Sequence, residues 1–463
     1  MGTVTVLGHA ASGDDAQEQP SRRLVLMGGG LAFGAALAAP ASAHAGPGQA
    51  AQPTSAHGSR LAREWVQAVY DLTWRDDTAT PLGTTPPNAA RCYAYVMLAM
   101  YEAVVGGDSR LRSAGGQLHG LGPVPKAHGR VDWPVAMAES AHATVMVVHG
   151  RMAPQRLALI TALRDAQVAE RHAAGVPEQT VVRSRAYGRS VAAVIAARVA
   201  GDGFDATVGL PYTPPTGEGL WVSTPPNYRP AIEPHWSRIQ PFVMADAGEV
   251  HPVAHHPFST QVGSPFWQQA NETYQQSFVN TDEQRAIARF WTDNPLNSGL
   301  PSGHWLLAVS QFADQQRLDL GLTVEALMRT AVALHDAFLS CWNHKYEVNL
   351  IRPISYVNRY IDPSWSTFIN TPQFPEYPSG HSVSSNAAAT VLTALVGNVA
   401  YVDDSHRDRG MPSRVFASFQ DAANEAARSR IYGGIHYPMG VQGGIAHGAA
   451  VGQIVVDRLN TRR

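Results

Sequence analysis

Lysine is almost absent from this 463-residue chain: Lys126 and Lys345 are the only two among 35 lysines and arginines. Cysteine is as scarce, with Cys92 and Cys341 alone, so neither a CxxC pair, nor a Cys/His zinc cluster, nor a disulfide framework can be built. Both cysteines sit in apolar, helical-looking stretches and read equally well as buried thiols or as one lone disulfide. Charged residues make up only 16% and the formal charge is −2. That balance lacks the basic footprint of a nucleic-acid binder and suits a large apolar core.

The N-terminus carries Ser21-Arg22-Arg23 ahead of a glycine-rich apolar run ending at Ala39, then Pro40-Ala41-Ser42-Ala43-His44-Ala45. The run is short of the ~20 apolar residues that a membrane span needs. Twin arginines, a short apolar stretch and small residues for cleavage after Ala43 or Ala45 predict an export signal over residues 1–45, hence a secreted protein with no membrane segment once processed.

Beyond it, apolar residues recur at helical spacing from about 62 to 105, 133 to 174 and 178 to 200, and again from 282 to 459. No alternating strand series intervenes. The chain reads as all-α and built of helical bundles: an N-terminal helical region (46–202), a Pro/Gly-rich but aromatic and therefore ordered connector (203–280), and a C-terminal helical domain (281–463) with a four-helix-bundle-like core.

Three elements in that last domain carry chemistry. Leu327, Ala331, Leu334, Phe338 and Cys341 fall at spacings of 4, 3, 4 and 3, and four more residues land on Lys345, so the lysine continues an inward apolar stripe. A buried ammonium is costly unless an anion meets it, and Arg352-Pro353 follows seven residues on. Next, Pro378-Ser379-Gly380-His381 opens an Ala-rich helical stretch, an entry that leaves unpaired N–H groups facing outward with a hydroxyl and an imidazole beside them. Pro301-Ser302-Gly303-His304 repeats the tetrapeptide without a preceding Lys-x6-Arg-Pro and reads as structural. Last, a helix beginning near Arg414 ends in Ser429-Arg430, and the glycines at 433 and 434 stop it before His436. Lys345, Arg352 and Arg430 with Ser379, a backbone N–H and two histidines offer more donors than a carboxylate can use. Phosphate or vanadate fits.

KxxxxxxRP, PSGH and SRxxxxxH, in that order, resemble the superfamily of vanadium-dependent haloperoxidases and type 2 phosphatidic-acid-phosphatase-like acid phosphatases. The segments Gly219-Leu220-Trp221 to Pro226, Pro234-His235-Trp236 to Phe242 and Phe290-Trp291-Thr292-Asp293 through Trp305 are similar to its bacterial haloperoxidase branch. The resemblance implies vanadate as cofactor, His436 binding vanadium, and Lys345, Arg352, Ser379, Gly380 and Arg430 holding its oxygens. It implies His381 as the acid–base residue, with Lys345 polarising bound peroxide. Asp293 resembles an outer acidic residue paired with the last arginine, and Phe374 the residue found seven before the histidine in a chloroperoxidase. Hydrogen peroxide and halide would be the partners, giving hypohalous acid, with a small organic acceptor left open.

Two alternatives stay open: a secreted acid phosphatase with His436 as nucleophile, and a non-catalytic oxyanion-binding helical protein. Many of the phosphatases carry an aspartate four residues after the final histidine. Gly440 stands there, which counts against that reading and leaves unassigned whatever orients His436. His251, His255 and His256 read as a solvated prolyl loop, and Asp403 to Arg409 as an exposed charged loop.

Overall fold

A computed structural model describes residues 52–74 and 84–463; the export-signal reading of residues 1–45 falls outside them. Helices α1 (Arg60–Trp74), α2 (Pro86–Val104), α3 (Trp133–Val148), α4 (Pro154–Ala173), α5 (Glu178–Gly201) and the single turn α6 (Phe204–Thr207) come first. Then follow α7 (Pro265–Val279), α8 (Asp282–Phe290), α9 (Leu300–Gln315), α10 (Leu320–Val348), α11 (Pro353–Tyr360), α12 (Gly380–Val396), α13 (Phe419–Tyr432) and α14 (Pro438–Arg458). Strands β1 (Tyr401–Asp403) and β2 (Arg414–Phe416) form a small antiparallel pair with Tyr401 opposite Phe416. The helix expected to begin near Arg414 therefore starts at Phe419, because Arg414 to Phe416 pair as strand and Ser418 caps the helix by accepting from Asp421 N–H.

Local chemistry sets the other starts as well. Thr85, Asp132, Ser264 and Asp319 each accept an N–H of the first turn, and the first three precede a proline at the first or second helical position. Thr281 and Gln284 form a reciprocal capping box on α8. Among the described residues no helix is long and apolar enough to cross a membrane.

The long α10 is the axis. It packs on α2, α9, α12 and α14, and one hydrophobic core runs from Leu61 to Leu459. Leu327, Ala331, Leu334, Phe338 and Cys341 all belong to it, and Lys345 is buried at the end of the same stripe. Cys92 in α2 and Cys341 in α10 are buried thiols.

Helix α12 lies against α10, α13 and α14. Its approach to α14 depends on a small-residue face: a Cβ built at Gly444 would lie 2.7 Å from Ser382 Cβ, at Gly448 2.1 Å from the Val383 carbonyl oxygen, and at Gly452 2.7 Å from the Ala387 oxygen. The obstructing atoms are mostly main chain and cannot step aside. This contact fixes the start of α12, where Ser379, Gly380 and His381 stand.

The connector over residues 208–264 has little regular structure, yet it is stitched to the end of α10 and to the stretch before α12. Trp221 N–H donates to Asn349 O at 2.7 Å, Ile351 N–H to Gly219 O at 2.9 Å and Ile232 N–H to Gln373 O at 2.9 Å. Trp221 and Trp236 are buried, whereas His251 and His256 lie exposed.

Gly448→Ala is expected to force α12 and α14 apart and to lower stability by about 1–3 kcal/mol, the cost of overpacking; thermal unfolding checks this.

Candidate active site

Five helix ends meet around one cavity of about 300 Å³ lined by Asp293, Phe374, Gly380, His381, Arg430 and His436, among others. Lys345 stands near the end of α10, Arg352 at the cap of α11, Ser379 at the cap of α12, Arg430 in the last turn of α13 and His436 in the turn before α14. All five are buried.

The cations are held by main-chain oxygens. Lys345 Nζ donates to Pro375 O and Glu376 O, each at 2.9 Å, leaving its third N–H uncommitted. Arg352 Nε donates to Phe374 O and Nη1 to Ile435 O, both at 2.8 Å, and Nη2 is buried without a partner. Arg430 donates from Nε to Ser429 Oγ at 2.9 Å and from Nη2 to Trp291 O. The Phe374 ring lies 5.0 Å from Lys345 Nζ and 4.9 Å from Arg352 Cζ, so its face attracts both charges while shutting out water. Burial pulls the Lys345 ammonium down to about 7, Arg352 to about 10 and Arg430 to about 9. In each case removal from water disfavours the charged form.

At the entry of α12, Ser379 Oγ accepts from Ser382 Oγ at 2.9 Å and Ser382 N–H at 3.4 Å, so its own proton stays available. The N–H groups of Gly380 and His381 precede the first intrahelical acceptor. His381 is partly exposed at the cavity. Its ring bonds the Trp291 carbonyl, and Nε2 has no partner. Burial, with Arg430 nearby, holds it well below its usual range, so the imidazole is neutral with a lone pair on Nε2.

What orients His436 is Glu376, a residue that sequence reasoning passed over. Glu376 Oε1 lies 2.8 Å from His436 Nδ1 and also takes Tyr437 N–H at 3.0 Å. The Nδ1 proton is thereby fixed, and the lone pair falls on Nε2, 3.2 Å from Arg352 Nη1. Burial, with Arg352, Lys345 and Arg430 adding to it, keeps the imidazole neutral. Gly440 is explained at the same time: a Cβ there would lie 2.2 Å from Glu376 Oε1. A side chain at position 440 would collide with the carboxylate that position 376 supplies. The available signal was that only two acids, Asp362 and Glu376, lie between Arg352 and His381.

Asp293 lines the cavity, but the bonds to its side chain come from elsewhere than Arg430. Oδ2 is 2.8 Å from His304 Nδ1 and Oδ1 3.3 Å from His406 Nε2. Arg430 is linked to it through charge alone. The expectation of an exposed loop from Asp403 to Arg409 is thus only half right: Arg407 and Asp408 are exposed, whereas Asp403 and His406 are buried beside His304.

Residues 325–462 match the family model of the VCPO second helical-bundle domain. The structure is similar to that of a bacterial vanadium-dependent iodoperoxidase, with a TM-score of 0.80 and 34% identity over 88% of this chain and 97% of that one. The chain belongs to the vanadium-dependent haloperoxidases. Holo and apo forms of a bacterial vanadium-dependent chloroperoxidase share the fold at 15% identity, with TM-scores of 0.59 and 0.62. Both cover 84% of this chain and 97% of the other. No curated protein matches the chain.

The cofactor of this haloperoxidase is vanadate, and the residues present fit it. Arg430, His436, the open end of α12 and His381 with its unpartnered Nε2 line the cavity, while Arg352, whose Nη2 is unpartnered, lies 3.2 Å from His436 Nε2 and Lys345 Nζ stands 5.0 Å from the cavity-lining Phe374 ring.

Glu376→Gln is expected to weaken vanadate binding to the apoprotein about tenfold or more, as loss of an outer-shell partner does, read by vanadate titration. Burial lifts the Glu376 carboxyl from 4.5 to about 7. A raised pKa contributes stability that is present below the unfolded value and lost as pH rises through the folded one. Apo Glu376→Gln should therefore gain melting temperature relative to wild type between pH 4.5 and 7.

Proposed function

We propose that this haloperoxidase oxidises iodide foremost, on a vanadate held through His436 Nε2, with His381 as the acid–base residue. One observation carries the reading: two neutral histidines line one cavity, His436 locked by Glu376 and His381 by Trp291 O, with Lys345, Arg352 and Arg430 around them. Halide preference is supported by the 34% identity to an iodoperoxidase and by the ease with which iodide gives up electrons.

Bound vanadate supplies a Lewis acid that activates peroxide without changing its own oxidation state. The protein does the rest. Arg352 Nη2, the third N–H of Lys345, the Gly380 N–H, the Ser379 hydroxyl and Arg430 are placed to hold negative oxygens, and an anion there favours the charged forms that burial disfavours. His381 Nε2 takes a proton from entering hydrogen peroxide and returns one as product leaves. Overall, halide, hydrogen peroxide and one proton give hypohalous acid and water. Lys345 is suited to the reacting oxygen because an ammonium is a compact point charge, whereas a guanidinium is a planar fork. Export through a twin-arginine signal over residues 1–45 is part of the same proposal, supported by Ser21-Arg22-Arg23 and the small residues up to Ala45.

Vanadate-loaded protein should oxidise iodide with peroxide. Turnover of a phosphomonoester by the apo form, with no halide oxidation by the loaded form, would overturn the reading in favour of a phosphatase. His381→Ala should bind vanadate within a few-fold of wild type and lose roughly 10²-fold or more in halide turnover. Lys345→Arg, with charge retained, should bind vanadate and turn over more slowly; undiminished turnover would show the choice of lysine to be incidental.

A further inference from the structure

Beside the cavity, reaching its wall through Asp293, lies a second group of titratable side chains that the reaction above leaves unused. Asp293 follows α8, His304 stands in the first turns of α9, Asp403 ends β1 and His406 lies in the loop beyond; all four are buried. His304 Nδ1 is 2.8 Å from Asp293 Oδ2, and its Nε2 is 3.1 Å from Asp403 Oδ2. With a carboxylate at each ring nitrogen, the imidazole carries both protons. Asp403 is fixed in turn by Ser405 N–H at 2.9 Å. Arg409 Nη1 lies 3.3 Å from His406 Nδ1, so the proton of His406 is left on Nε2, facing Asp293 Oδ1. Two carboxylates and one imidazolium leave a single negative charge beside Arg430, and that guanidinium senses Asp293.

Asp293, His304 and His406 bring their ligand atoms within 4.8 Å of one another, close enough to share a divalent cation. Both nitrogens of His304 are already met by carboxylates at hydrogen-bond distance, which is the arrangement of a protonated ring.

Two routes lead from His304 to the cavity. The Asp293 it binds lines the cavity. The Trp291 indole stacks on the His304 ring, with centroids 4.4 Å apart and planes 18° apart, and the Trp291 carbonyl accepts from Arg430 and His381. The intervening backbone is strained, since Asp293, Leu296 and Leu300 all adopt positive φ. Such residues persist only where surrounding contacts over-determine them.

We propose that His304, anchored by Asp403, is a positioning residue for the oxyanion site, holding Asp293 and Trp291 and through them placing Arg430 and His381. This rests on the vanadate reading and extends it to residues that never touch the anion. The first PSGH is then a brace for the second.

Titration of the apoproteins of wild type, His304→Gln and Asp403→Asn with vanadate and with phosphate decides the matter, together with ¹⁵N spectra of the histidine rings. Both variants are expected to bind either oxyanion about tenfold more weakly, the usual effect of losing an outer-shell partner, and to shift the His381 ring resonances. In wild type at pH 8 the His304 ring is expected doubly protonated. Folded variants that bind within twofold of wild type, with His381 unshifted, would overturn the proposal. Should His304→Gln fail to fold, Asp403→Asn carries the test. Should both fail, the wild-type spectrum does: a singly protonated His304, or a stoichiometric divalent metal in the purified protein, overturns it. Wild type that binds phosphate but not vanadate sinks the functional reading instead, and His304 is then judged on phosphate.

Discussion

Buried positive charge is the constraint around which this protein is organised. Lys345, Arg352 and Arg430 are out of water, and the one carboxylate beside the first two, Glu376, is itself pushed up to about 7 by burial. The protein meets the cost with dipoles. Carbonyls of Trp291, Phe374, Pro375, Glu376 and Ile435 ring the cations. Such carbonyls are available because the site is assembled from helix ends and extended stretches, where main-chain oxygens have no helical partner. A tetrahedral oxyanion completes what the dipoles begin.

Holding helix ends within a few ångströms of each other demands close packing behind them. The α12–α14 contact supplies it through Gly444, Gly448 and Gly452, and the same helix face leaves room at Gly440 for the Glu376 side chain. One stretch of glycines therefore both sets the height of the Ser379–His381 entry and admits the carboxylate that orients His436. The connector roofs the cavity and the aromatic pair Trp342 and Phe374, 4.8 Å apart, walls it against water. Polar floor and apolar wall together suit chemistry on a small anion.

The helical classes, the inward stripe ending at Lys345 and the three donor segments were legible in the sequence because each is a local pattern of period or spacing. Gly440 was legible only as a gap. Its meaning needed Glu376, 64 positions away in the chain. Asp403 and His406 looked like solvated charges since nothing local distinguishes a buried aspartate from an exposed one, and their partners lie 99 and 113 positions upstream in His304 and Asp293. The first PSGH read as scaffold because no Lys-x6-Arg-Pro precedes it.

By itself, the sequence determined which residues are able to meet an oxyanion. Residue type and spacing dictate donor capacity, and a lysine placed on an apolar stripe must be buried. Only the tertiary structure decided which nitrogen of each histidine faces the cavity, which carboxylate supports His436 and which imidazole stands behind Asp293. Those choices depend on contacts between distant segments, where a proton goes to whichever ring nitrogen finds an acceptor, and no pattern along the chain encodes that geometry.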